Sequence, residues 1–116
     1  MRRARWIRDC PATETLFVPC TREGRFVRVK VEAAISGPLA IHPATGRDVP
    51  RWTVTHIATG YAIAHFDDET EGEEFVRMIL SLDWNFAAVS ALPKATAAGV
   101  LVVAGAHGYR LAGVRP

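Results

Sequence analysis

Between Val27 and Ala33 the chain alternates without a break. Val27, Val29, Val31 and Ala33 are apolar, while Arg28, Lys30 and Glu32 are charged. A period of two sends successive side chains to opposite faces of a pleated strand, so this segment predicts a strand with one dry face and one wet face. Such a strand needs pairing neighbours and something to cover its dry side, which places the chain among proteins built on a sheet with a covered face.

The flanking segments supply the neighbours. Thr15 to Val18 is a short β-favouring run, and Thr21-Arg22-Glu23-Gly24 offers a turn before the alternating strand. Ile35 to Pro50 holds Gly37-Pro38, His42-Pro43, Gly46 and Pro50, so it reads as a surface connection with a brief edge strand at Leu39-Ala40-Ile41. Arg51 to Ile57 and Tyr61 to Phe66 then form a hairpin around Ala58-Thr59-Gly60.

Helical signals follow. Thr70-Glu71-Gly72-Glu73 has capping-box spacing, and Phe75, Ile79, Leu82 and Phe86 recur at helical intervals. Pro93 suits the first turn of a second helix reaching Ala106, although Gly99 to Gly105 equally fits a buried strand. The expected architecture is α+β: an antiparallel sheet of about four strands from two hairpins, with one or two helices packed on one face. At 116 residues, the chain has the length of a single domain, with residues 1–12 expected as a flexible basic arm.

The apolar stretch Gly99 to Ala106 is far shorter than a membrane span. The basic start lacks the apolar run and cleavage site of a signal peptide, so a cytoplasmic protein is expected. Cys10 and Cys20 are too few for a disulfide framework or paired metal-binding motifs; two reduced thiols are the simpler reading, with a bridge as the alternative.

Charge is distributed unevenly. The net charge of +2 combines four arginines in the first eight residues with six acids between Asp67 and Glu74, and no acid follows Asp83. Arg2, Arg3, Arg5 and Arg8 with Trp6 join phosphate-binding groups to a stacking ring, and Arg28 and Lys30 could extend that patch over the sheet into a nucleic-acid surface. The acids Asp67, Asp68, Glu69, Glu71 and Glu74 either only cap and solvate a helix start or form a docking patch for a protein, with Trp84 as an adjoining aromatic anchor.

Catalytic signals are sparse. His56 and His65, with Asp67 and Asp68, are the best catalytic candidates, but a three-residue turn would turn the two histidines to opposite faces, and only a two-residue turn would bring them together. The nucleophile elbow, the phosphate-binding loop, the dinucleotide fingerprint and the zinc-protease helix motif are all missing. No cofactor, no metal and no enzymatic activity are therefore expected.

The segment Trp52-Thr53-Val54-Thr55-His56-Ile57-Ala58-Thr59-Gly60, followed by a helix ending in Leu82-Asp83-Trp84-Asn85-Phe86, loosely resembles small accessory proteins of phages and prophages. That resemblance implies an anti-defence setting, in which a small domain of anti-CRISPR type inhibits a host protein or ribonucleoprotein complex by direct binding. It implies no catalytic residue. A small nucleic-acid-binding domain using the basic arm is the alternative.

Overall fold

The computed structural model describes residues 12–22, 25–45 and 51–111. The basic arm with Arg2, Arg3, Arg5, Trp6 and Arg8, together with Cys10, lies outside them, whereas Ala12 already belongs to the first strand. Six strands form one antiparallel sheet: β1 (Ala12–Arg22), β2 (Arg25–Ser36), β3 (Leu39–Pro43), β4 (Trp52–His56), β5 (Tyr61–Phe66) and β6 (Arg110–Leu111). Their order in the sheet is their order in the chain. Two helices, α1 (Glu69–Ile79) and α2 (Lys94–His107), are joined by a segment containing a short 3-10 turn at Val89–Ala91.

The fold class is thus α+β, with six strands in place of about four. Part of the difference lies in β3, expected at an edge but found between β2 and β4. Gly37, at φ 58°, and Pro38 reverse the chain so that Leu39 pairs back onto Ser36. The prolines that suggested an edge sit in that turn and at the strand's last residue, where they spare the pairing between. β6 is the other addition. It is only two residues long, and it pairs with β5 through Ala64 and His65.

The alternation of β2 is as expected: Arg28, Lys30 and Glu32 are exposed, Val27 and Val29 are half-buried, and Val31 and Ala33 are buried. Thr15 Oγ1 donates to Glu32 Oε2 across β1 and β2 at 2.6 Å on the wet face. Ala34 and Ser36 are also buried, because near its end β2 is covered on both sides. One side carries the helices. There Leu39, Ile41, Val54 and Phe66 meet Phe75, Val76, Ile79, Val100 and Ala104 in the main core. Each large apolar side chain buried in it contributes about 1.5 to 3 kcal/mol.

The far side is buried too, at Val18, Val31, Ala33, Ala40, His42, Thr53 and Thr55. Phe17 and Arg28, from the β1–β2 hairpin, line one depression with Ile57 and Tyr61 of the β4–β5 turn. The long hairpin therefore bends towards the β4–β5 turn instead of extending flat.

α1 departs from expectation at both ends. Its N-cap is Asp68, whose Oδ1 accepts from Glu71 N at 2.9 Å. The cap thus sits two residues earlier than the expected Thr70, and Glu73 is buried. The helix stops at Ile79 instead of continuing to Phe86. Trp84 Nε1 donates to Ile79 O at 2.8 Å, satisfying a terminal carbonyl from beyond the helix. Residues 94–107 resolve as a helix, ended by Gly108 in the left-handed conformation at φ 70°.

Candidate functional site

An apolar groove of about 520 Å³ opens where the turns at one end of the sheet meet the chain leaving α1. Pro38 comes from the β2–β3 turn, Ile57 from the β4–β5 loop, and Leu80, Leu82 and Trp84 from the segment after α1. The walls are tied together by hydrogen bonds. Ile57 N donates to Pro38 O at 3.0 Å, locking the two turns side by side. On the opposite wall, Leu82 N donates to Ile79 O at 3.0 Å.

His56 forms the bracket at the base. Trp84 O, 2.8 Å from Nε2, can only accept, so that nitrogen carries the proton, while Nδ1 lies 3.0 Å from Thr59 Oγ1. The imidazole is packed between Trp84 and Phe86, with ring centroids 5.5 and 4.5 Å away. Both nitrogens are engaged and the residue is 2% exposed, so His56 positions the groove and presents no free base to it. Trp84 is likewise buried, at 6%. The expected surface anchor is a core residue, because the chain abandons helical spacing after Ile79 and folds both aromatic rings around His56.

His56 and His65 face opposite sides of the sheet, yet not for the expected reason. His56 pairs with Tyr61 across a four-residue loop, with Gly60 at φ 75°, and a bulge at Val54 and Thr55 shifts the register so that His65 pairs with Thr53. His65 Nδ1 lies 2.9 Å from Thr53 Oγ1. Beside it, His42 Nδ1 donates to Pro43 O at 2.8 Å, so its Nε2 is the acceptor for Thr55 Oγ1 at 2.7 Å. Burial lowers the pKa of His42, with the Pro43 bond acting in the opposite direction. Burial also lowers that of His65, reinforced by the charge of Arg110 and by His42. Among the described residues no group of three histidine, cysteine or carboxylate side chains is placed to hold a metal.

The acidic rim lies elsewhere. Asp67, Asp68 and Glu74 are exposed, and Glu69 and Glu71 are half-buried. They surround the N-terminus of α1, whereas Trp84 follows its C-terminus, so the two parts of the expected protein-binding set stand about 16 Å apart along the helix. The rim instead adjoins the end of α2, where His65, Asp67, Glu71, His107, Tyr109 and Arg110 line a polar cleft. Burial raises the Tyr109 pKa, and Glu74, Glu71 and Asp68 raise it further.

Arg28 and Lys30 are exposed, and Arg28 shares its depression with exposed Phe17 and Tyr61. Those two aromatics were not singled out from sequence, nor were Pro38, Ile57, Leu80 and Leu82. For the groove, the Gly37-Pro38 turn is the available signal. Among the described residues no helix is long and apolar enough to cross a membrane. Comparison with models of protein families, with curated proteins and with solved structures finds no match.

Proposed function

We propose that this chain is a non-enzymatic protein-binding domain, and that its groove receives an apolar side chain or short segment of a partner. The observation that carries this reading is the groove itself: Pro38, Ile57, Leu80 and Leu82 surround a concave space whose only imidazole is already hydrogen-bonded on both nitrogens. Concave apolar surface with few polar groups is suited to anchoring and lacks the poised acid or base that catalysis requires. The acids Asp67, Asp68, Glu69, Glu71 and Glu74 would steer a basic partner towards the other end of α1. The resemblance to phage and prophage accessory proteins favours a host defence protein or ribonucleoprotein complex, such as a CRISPR effector, as the cytoplasmic target.

Leu80 is 38% exposed on the groove wall, so Leu80→Asp should spare the fold. Capture from a nuclease-treated host lysate should be lost in Leu80→Asp while its thermal melt stays close to wild type. The same protein retained equally by both would refute the groove as the anchor.

Exposed Phe17 and Tyr61 beside Arg28 favour a second reading as a nucleic-acid surface extending to Lys30. That reading requires affinity for single-stranded DNA or RNA that falls steeply with salt and drops in Arg28→Ala.

A further inference from the structure

The groove has no acidic or cationic side chain in its lining, and Leu80 on its wall stands 38% exposed. The chain itself carries a segment placed to fill it. β1 begins at Ala12, which pairs with Ile35 of β2, and Ile35 stands two residues before Gly37 on the groove wall. Paired strands run about 5 Å apart and two residues of strand rise about 7 Å, so residues 1–11 are rooted within about 10 Å of Gly37. Leu80 comes up to the same turn, since a Cβ at Gly37 would lie 3.7 Å from its Cδ1. The other segments outside the described residues are less suited. Residues 46–50 leave the sheet at its opposite end, beyond Pro43 and Trp52, where Ala44 N donates to Arg51 O at 2.9 Å. Residues 112–116 follow Leu111, which pairs with Ala64 on the β5 side, and carry one large apolar side chain, Val114.

The chemistry of the N-terminal arm matches the groove. Trp6 and Ile7 are adjoining large apolar side chains, with Arg5 and Arg8 on either side. The six steps from Trp6 to Ala12 extend to about 20 Å, enough to lay the pair past Pro38 onto Leu80 and Leu82. At the rim stands exposed Asp83, between Leu82 and Trp84 in the chain. Its Oδ1 accepts from Asn85 N at 2.9 Å, which holds the carboxylate beside the groove where a flanking arginine can meet it. Covalent attachment does the rest, because a short tether presents its own segment at an effective concentration in the millimolar range. We infer that Trp6 and Ile7 of the chain's own arm occupy the groove in the free protein, so that a partner enters only by displacing them. This autoinhibition rests on the reading of the groove as the partner's anchor.

Nuclear Overhauser spectroscopy on the full chain, free of any partner, reads the contact directly. Cross-peaks should join the Trp6 ring to the Leu80 and Leu82 methyl groups, and their intensity relative to intradomain peaks should not change on dilution. Absence of these cross-peaks overturns the proposal, as does contact from Val114 in their place. Cross-peaks that fade on dilution also overturn it, because they assign the groove to the arm of a neighbouring copy. A peptide of residues 1–11, added to the full chain, should bind Trp6→Ala roughly tenfold more tightly than wild type, since that variant leaves the groove open. Equal binding to both, or binding to neither, overturns the proposal. The partner reading fails separately. Capture that Leu80→Asp abolishes, without the Trp6 cross-peaks, keeps the groove as anchor and sinks the arm; the cross-peaks, with capture untouched by Leu80→Asp, keep the arm and sink the anchor.

Discussion

His42 shows what a buried polar side chain requires in this sheet. It lies on the side away from the helices, 2% exposed, and each of its nitrogens has a partner of fixed role: the Pro43 carbonyl accepts and the Thr55 hydroxyl donates. Protonation would put a second N–H against a hydroxyl that already serves as donor and would charge a buried ring. His42 and His65 are both harder to protonate in the folded chain than at the ordinary value of 6.5. Above 6.5 the folded and unfolded chains are both neutral at these sites and stability is complete. Below it the unfolded chain takes up protons that the folded chain refuses, so stability falls until the folded-state values are passed. Denaturant melts from about pH 7 to about pH 5.5 should show this decline, and His42→Gln should flatten it. An unchanged slope in that variant would assign the dependence to other groups.

The helix start and the helix end teach different lessons. Asp68 holds the Glu71 amide, so Asp68→Ala should cost about 0.5 to 2 kcal/mol, while Thr70→Ala should cost a few tenths. Chemical denaturation separates the two, and the reverse order would restore the cap expected from sequence. That expectation slipped by two residues because Asp68 to Glu71 and Thr70 to Glu73 have the same spacing; the extended backbone of Asp68 and its bond from the Glu71 amide decide between them. The end of α1 was hidden for another reason. Leu82 and Phe86 happen to continue the helical period, but the indole of Trp84 binds the Ile79 carbonyl and the chain turns away. β2, by contrast, was readable because its signal is wholly local. Its charged residues need only water, and Val31 and Ala33 need only one covered side. The groove drew on residues near positions 38, 57 and 82, and no local pattern joins three such distant segments.

The side of the sheet away from the helices is buried as well, and this sets a quantitative expectation. Val31 is 9% exposed there, whereas Lys30 points to water. Val31→Asp should lose several kcal/mol, enough to unfold a domain of this size, and Lys30→Asp should stay within about 0.5 kcal/mol. Equal tolerance of both in denaturant melts would mean that this side of the sheet is open to water. The α+β class and the hairpins could be anticipated from turns and alternation, but burial on both sides of the sheet could not, since the alternation of β2 predicts one dry face only.

Strand order that follows chain order has a kinetic consequence. Each strand from β2 to β5 finds its partner in the strand just made, across a turn, and no segment must thread past a finished pair. Hairpins of this kind close in microseconds, and short loop closures carry a small entropic cost. Only β6 waits for the helices, because 43 residues separate Phe66 from Arg110. The sheet can therefore assemble progressively as the chain leaves the ribosome, with the last two-residue strand closing after α1 and α2 have docked.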